Sequence, residues 1–195
     1  MNRAATAPAF AAHRVVRAVA GWLLACWLVL AGSPAQAQGM ELTGFALSRA
    51  DGALVLDFIA KPTLSKAVEE AMQRGVPVYF VAQAALYRQR WYWRDERVAR
   101  VSRTWRLSYQ PLTSSWRLGQ GAISQSFASA EEALDAASRA SRWKVADESA
   151  LEPGERYYLE FSYRLDNNQL PRPMQLDLAA QADWQLSVER TIKVE

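Results

Sequence analysis

The sequence predicts a mainly β domain: an antiparallel β-sandwich of about nine short strands with two short inserted α-helices. Short runs of alternating apolar residues recur between turn residues along the chain. Only two stretches show helical spacing, and they do not alternate with the strands as a parallel sheet would require. A β-barrel is the second architecture that this pattern allows.

The first 37 residues have the pattern of a cleavable secretory signal, which leaves residues 38–195 as a single β-rich domain. We expect cleavage after Ala37, with an uncleaved anchor as the alternative, because the apolar stretch is shorter than the ~20 residues that span a bilayer. The mature chain is then periplasmic or secreted, with no transmembrane segment. The three parts of the signal follow in the usual order: Arg3, Arg14 and Arg17, then Ala18 to Leu30, then Ala35-Gln36-Ala37.

Removal of the signal also removes the only cysteine, Cys26, and the only histidine, His13. Disulfides, thiol or histidine-based catalysis, and zinc or copper sites are therefore not expected. Three of the 23 basic residues lie in the signal, so the mature chain has 20, equal to its 20 acidic residues. The sequence predicts no cofactor, no metal and no enzyme, and overall charge gives no argument for nucleic acid as a partner.

The first elements are a hairpin and a helix. Alternating apolar residues from Met40 to Ala60 flank Asp51-Gly52, a dipeptide typical of tight hairpin turns. Apolar residues then recur at helical spacing up to Gly75, which marks the helix end. Thr63 or Ser65 is expected to cap this helix.

A long ribbon of two paired strands is predicted next, after a β-rich stretch that Pro77 opens. It runs from Leu86 to Tyr109, with a bulge or tight return near Arg94-Asp95-Glu96. The first strand would carry Arg88 and Arg90 on one face. In the second strand, alternation places two sets on opposite faces: Val98, Arg100, Ser102, Thr104 and Arg106 against Ala99, Val101, Arg103, Trp105 and Leu107.

The second half of the chain predicts further strands around one helix. Ser129 begins that helix with capping-box spacing to Glu132, and the apolar pattern continues to Ala140. The strands are expected at Leu112–Leu118, Ile123–Phe127, Trp143–Val145, Tyr157–Leu165, Met174–Leu178 and Trp184–Val194.

Several segments, taken together and in this order, resemble a known family: Leu64 to Ala71, Gly75-Val76-Pro77-Val78, Arg90-Trp91-Tyr92-Trp93, Leu107-Ser108-Tyr109-Gln110-Pro111-Leu112-Thr113, Leu165-Asp166 and Leu170-Pro171-Arg172-Pro173-Met174-Gln175. They are similar to the bacterial exported family catalogued as domain of unknown function 4390, over nearly all of the mature chain. The resemblance implies exported proteins of β-proteobacteria and relatives, often encoded beside a nitrogen-regulation-type sensor histidine kinase. It implies no activity and no catalytic residues.

Positive charge is concentrated in the predicted ribbon, where eight arginines from Arg88 to Arg117 stand against only Asp95 and Glu96. Guanidinium groups interleaved with aromatic rings offer bidentate anion contacts and stacking surfaces. The alternatives are that the arginines decorate a solvent face, or that acidic residues elsewhere neutralise them. The predicted binding residues are Arg88, Arg90, Trp91, Trp93, Arg94, Arg97, Arg100, Arg103 and Trp105.

The function class that follows is a periplasmic, non-enzymatic binding or accessory module. Its partner would be an anionic envelope component or, as the resemblance implies, the extracytoplasmic region of a sensor histidine kinase. Nucleic acid is not expected for an exported domain. A structural or chaperone-like envelope protein is the alternative. A third possibility is a carboxylate-based hydrolase, whose candidate catalytic residues are Asp57, Glu160, Asp166 and Asp177.

Overall fold

The computed structural model describes residues 39–169 and 184–194, which form nine strands and two helices. The predicted signal, the prolines at 171 and 173, the strand predicted at Met174–Leu178 and Asp177 lie outside these residues. In chain order, the elements are β1 Met40–Ala50, β2 Ala53–Pro62, α1 Lys66–Gln73, β3 Val78–Arg88, β4 Glu96–Gln110, β5 Ser115–Gln120, β6 Ile123–Phe127, α2 Ala130–Ala137, β7 Arg139–Asp147, β8 Tyr157–Leu165 and β9 Ser187–Val194.

The strands form two antiparallel sheets. The small sheet has the order β1-β2-β7, and the large sheet has the order β6-β5-β4-β3-β8-β9. Among the described residues, no strand pairing joins the two sheets or closes either of them into a barrel. The predicted mainly β fold with two inserted helices is therefore confirmed, and its arrangement is that of a sandwich.

One core lies between the sheets, and Phe58 is at its centre. This β2 side chain is 1% exposed, and its ring lies 4.8 Å from that of Phe161 and 5.6 Å from that of Tyr163, both on β8. Trp105 on β4 and Trp143 on β7 each have ring centroids 6.3 Å from it. Aromatic pairs at such distances add to the stabilisation that burial alone provides.

The local signals for turns and helix ends act as the sequence predicts. Asp51 and Gly52 both have positive φ, 53° and 70°, as a two-residue type I′ hairpin turn requires. Ser65, rather than Thr63, caps α1, and its hydroxyl accepts a 3.3 Å hydrogen bond from the Val68 N–H. Ser129 caps α2 in the same way.

Helix α1 ends in a complete Schellman motif. Gly75, at φ 85°, donates its N–H to the Met72 carbonyl, and Val76 donates to the Ala71 carbonyl. A residue with a Cβ is strained at this φ, so the glycine that marks the predicted helix end is also what makes it possible.

Three boundaries differ from the prediction. Helix α2 ends at Ala137, and Ala140 belongs to β7, where it pairs with Phe58. Residues 111–114 form a turn, so the strand expected from Leu112 begins at Ser115. The last strand begins at Ser187. In each case an apolar residue beside the element fitted its periodicity. The pairing of Ala140 with Phe58 limits α2, whereas the local turn at residues 111–114 limits β5.

The predicted ribbon exists as the β3–β4 pair, but its first strand is displaced. Strand β3 starts at Val78 and ends at Arg88, so Arg90 lies in a loop and not on the strand face where the alternation placed it. The bulge lies at Val98: Leu86 pairs with Ala99, and Tyr87 pairs with Arg97. Because Val98 is the extra residue, Arg97 lies on the same outer face as Arg100.

Candidate functional site

Residues 89–95 join β3 to β4 and form what we call the tip loop. Trp91, Tyr92 and Trp93 occupy its centre and are 94%, 65% and 75% exposed. The rings of Trp91 and Tyr92 contact each other edge to face, with centroids 5.1 Å apart. The other large apolar side chains exposed in the described residues stand singly, at Ile59, Leu112 and Ile123. A run of three exposed aromatic residues is a feature that core packing does not explain.

Ion pairs hold the base of the tip loop. Glu96, the first residue of β4, accepts hydrogen bonds from the guanidinium groups of both Arg88 and Arg90. Arg88 also pairs with Glu152, from the turn before β8, at 2.6 Å. The alternative that acidic residues elsewhere neutralise the arginines therefore holds for Arg88, through Glu152, whereas Arg90 is neutralised by Glu96 of the ribbon itself.

Asp95 closes the loop from its other side. Its carboxylate accepts a 3.0 Å hydrogen bond from the Arg90 N–H and a 2.8 Å hydrogen bond from the Tyr158 hydroxyl. A backbone hydrogen bond of 2.8 Å from the Gln89 N–H to the Arg156 carbonyl ties the start of the loop to β8. The base is thus fixed to two neighbouring strands, while the aromatic residues project beyond it.

These contacts shift the ionisation of the groups that make them. The hydrogen bond from Arg88 holds the pKa of Glu96 below its ordinary value of 4.5. The Arg90 N–H, and then the Tyr158 hydroxyl, hold the pKa of Asp95 below 3.8. Burial, followed by the neighbouring Asp95, raises the pKa of Tyr158 to about 12. Both carboxylates are therefore ionised and Tyr158 is protonated at neutral pH, as these hydrogen bonds require.

Beside the tip loop, one row of side chains crosses the outer face of the large sheet. Arg97 on β4 pairs with Tyr87 on β3, Tyr87 pairs with Tyr158 on β8, and Tyr158 pairs with Lys193 on β9. The two tyrosine rings stack at 5.3 Å. Since neighbouring strands lie about 5 Å apart, the row places cations at both ends of an aromatic centre.

Four exposed cations surround the tip loop, and we call them the basic rim. Within residues 39–169 and 184–194, no acidic partner is found for any of their side chains, in contrast to Arg88 and Arg90. The exposed acids adjacent to them in sequence are Asp95, next to Arg94, and Glu155, next to Arg156. The rim consists of Arg94, Arg97, Arg156 and Lys193.

Two of the predicted site residues lie on the inner face of the large sheet instead. Trp105 is 3% exposed and packs in the core, so it cannot meet a surface partner. Arg103 lies on the same inner face, with its guanidinium 5.1 Å from the centroid of the Trp143 ring, and burial lowers its pKa. Strand alternation explains both, since odd-numbered residues of this part of β4 face the small sheet.

Arg100 lies on the outer face, but in an acidic setting. It lines a depression of about 330 Å³ together with Glu160 and Glu189. The outer face of β4 is therefore not positive along its whole length. Of the nine predicted binding residues, the structure brings four to the tip-loop end as exposed groups: Trp91, Trp93, Arg94 and Arg97.

Sequence reasoning missed the contributions of β8 and β9 to this end. Arg156, Tyr158 and Lys193 are far from the tip loop in the chain, and only strand pairing brings them beside it. Tyr92 was part of the aromatic run, and its exposure could have been inferred from the neighbouring tryptophans. No local signal marks Glu152 as the partner of Arg88.

Two of the carboxylates considered for hydrolysis have structural contacts. Asp57 accepts a hydrogen bond from the Arg142 N–H at 2.9 Å, and Asp166 accepts hydrogen bonds from Asn168 and Gln169 directly after β8. Among the described residues, no group of three potential metal-ligating side chains is found. None of the helices described is long and apolar enough to span a bilayer.

Comparison with known proteins adds one match. A family model described as Domain of unknown function (DUF4390) matches residues 37–193. No curated protein and no solved structure matches the chain.

Proposed function

This chain belongs to the DUF4390 family, and from that premise we propose that it is an exported, non-enzymatic binding module that holds an anionic partner at its tip loop and basic rim. The partner is an anionic component of the cell envelope or the extracytoplasmic region of a sensor histidine kinase. Export is inferred from the basic, apolar and small-residue parts of residues 1–37.

One observation carries the proposal: exposed aromatic rings occur at one end of the large sheet together with cations for which the described residues supply no acidic partner. Trp91 and Trp93 are 94% and 75% exposed; Arg94 follows Trp93 directly, and Arg97 lies three residues further along the chain. Guanidinium groups bind phosphate or carboxylate through paired hydrogen bonds, and aromatic rings add apolar contact. Exposed residues of this combination are typical of binding surfaces.

The distribution of acidic residues also favours a binding site at the tip-loop end of the large sheet. Glu96 and Glu152 are already paired with arginines, and Asp95 is hydrogen bonded within the loop. Glu96 and Glu152 therefore offset Arg88 and Arg90. Among the described residues, the four rim cations outnumber the two other acids beside them, Asp95 and Glu155, so the local charge remains positive. Such a potential accelerates association with an anion and makes binding sensitive to salt.

The test is elution from immobilised heparin, a polyanion, along a salt gradient. We expect the combined replacement Arg94→Gln, Arg97→Gln and Lys193→Gln to lower the salt concentration at which the protein elutes, because it removes three rim cations. Arg88 and Arg90 are left unchanged, since their replacement would also disturb the loop base.

The matched control is Lys61→Gln, Lys66→Gln and Arg74→Gln, which removes the same charge near α1, at the opposite end of β3. It should elute close to the wild-type protein. An equal drop in both triple variants would show that net charge alone decides binding. No drop in the rim variant, with thermal unfolding unchanged, would favour the structural or chaperone-like alternative.

A further inference from the structure

The shape of the tip loop narrows the class of partner. Five cavities of the described residues, of about 300 to 510 Å³, are lined by none of residues 89–95. Small-molecule sites are concave and enclose most of their ligand. A projecting loop with three exposed rings is suited to entering another surface, not to enclosing a molecule.

The base of the loop prevents the rings from folding back. Arg88 and Arg90 bind Glu96, Tyr158 binds Asp95 at 2.8 Å, and the Gln89 N–H binds β8 through the Arg156 carbonyl. A loop fixed in this way loses little conformational entropy when its tip is buried, and such preorganisation favours binding.

The residue types at the tip are those that occur at the boundary between lipid and water. Tryptophan and tyrosine combine an apolar ring with one polar group, and they are enriched at the level of lipid headgroups. Arginine and lysine beside them can extend their charged ends to anionic headgroups while their alkyl stems cover apolar surface. The basic rim places such residues beside the aromatic rings of the tip loop.

We propose that Trp91, Tyr92 and Trp93 insert into the headgroup region of an anionic phospholipid bilayer, with the basic rim lying over the lipid phosphates. This inference rests on the proposed function and specifies its anionic partner. The protein is then a peripheral membrane protein in which the large sheet is the rigid support and the tip loop is the anchor.

The two parts of the site contribute differently. Each basic residue near an anionic surface strengthens binding by roughly fivefold, so loss of three rim cations should weaken it on the order of a hundredfold. Loss of the rings removes the apolar contribution and leaves the electrostatic attraction. The ring replacements should therefore abolish insertion while heparin binding is retained.

The experiment uses protein purified after expression of the full chain, with vesicles of phosphatidylcholine with or without phosphatidylglycerol. We expect the wild type to co-sediment with the phosphatidylglycerol vesicles far more than with phosphatidylcholine alone. The ring variant Trp91→Ser, Tyr92→Ser and Trp93→Ser should lose sedimentation and keep its heparin elution. The rim variant should sediment far less and elute from heparin at lower salt, and the Lys61, Lys66 and Arg74 control should match the wild type in both assays.

A second measurement reports insertion directly. Bromine-labelled phosphatidylcholine, mixed into the phosphatidylglycerol vesicles, quenches the fluorescence of tryptophans within the headgroup and upper acyl region. Quenching should be strong in the wild type and should fall to background in a Trp91→Phe, Trp93→Phe variant that still sediments. The remaining tryptophans that the structure describes are core residues, since Trp105, Trp116, Trp143 and Trp184 are each 8% exposed or less.

Three results would overturn the bilayer assignment while leaving the proposed function standing. In the first, the protein fails to bind vesicles although its heparin elution depends on the rim, and in the second, the ring variant sediments as the wild type does. The third result is that the sensor kinase region is captured in a ring-dependent way without vesicle binding. Loss of the rim dependence on heparin would instead overturn the proposed function. Thermal unfolding of each variant establishes that the fold is retained.

Discussion

At the scale of single residues, Asp95 decides how the tip loop is held. Its carboxylate joins a backbone N–H of the same loop to a tyrosine hydroxyl of another strand. Both donors favour the ionised form, which is why its pKa lies below 3.8. With the folded pKa lowered, the contribution of Asp95 to stability is present above the unfolded value and is lost as pH falls through the folded one.

The backbone amide of Arg90 should report this ionisation. We expect its ¹⁵N–¹H chemical shift to titrate with a midpoint below 3.8, the ordinary value for an aspartate, because the amide donates to Asp95. Replacement Asp95→Asn should abolish the transition. NMR spectra recorded from neutral to acidic pH measure both.

The Tyr158→Phe variant is the matched test of the second donor. It removes one hydrogen bond to Asp95 and keeps the ring that stacks on Tyr87. The midpoint should therefore move upward, toward 3.8. An unchanged midpoint would mean that the Tyr158 contact does not act on Asp95 in solution.

Also at the scale of residues, strand alternation predicted which way side chains face, whereas the charge pattern did not predict which arginines pair with acids. The opposite facing of Arg100 and Arg103 follows from a period of two and was correct. The sequence could not show which arginines are paired with acids. Glu152, for example, lies 64 residues beyond Arg88 in the chain and meets it only in the fold.

At the scale of elements, local signals fixed where helices begin. A side-chain hydroxyl that accepts a hydrogen bond from the backbone N–H three residues later satisfies one of the amides that every helix start leaves unpaired. The sequence offered Thr63 and Ser65 for α1, and the structure shows that Ser65 makes this bond, with Val68.

Removal of that cap should destabilise the protein. We expect Ser65→Ala to lower the free energy of unfolding by about 1 kcal/mol, measured by urea denaturation. The control Thr63→Ala removes the other candidate hydroxyl, which is exposed, and should change the free energy by less than about 0.5 kcal/mol. Equal losses from the two variants would contradict the assignment of the cap.

The end of α2 was less predictable than its start. The apolar spacing of α2 continues to Ala140, yet that residue pairs with Phe58 as part of β7. A local pattern cannot show this, because the competing interaction comes from a strand about 80 residues earlier in the chain.

At the scale of the whole molecule, the two sheets depend on one another. Phe58 belongs to the small sheet, but its ring contacts Trp105, Phe161 and Tyr163 of the large sheet. Neither sheet has a complete core by itself, so we expect the described domain to unfold in a single transition.

Fluorotryptophan labelling can test this cooperativity. The ¹⁹F resonances of Trp143, on the small sheet, and Trp105, on the large sheet, should disappear at the same urea concentration. Trp91, which is exposed, should change little and identifies signals unrelated to the core. An earlier transition at Trp143 would show that the small sheet opens separately.

The sequence alone determined the fold class, the hairpin turn, the cap of α2 and the absence of histidine and cysteine after residue 37, because each depends on residue type or short-range spacing. It also identified the aromatic run, but placed it on a strand, and it left two candidates for the cap of α1. Only the tertiary structure decided which charges are neutralised, that Val98 forms a bulge that turns Arg97 outward, and that Arg156 and Lys193 lie beside the tip loop. These features arise from pairing between strands distant in the chain, where geometry and not local preference selects the neighbours.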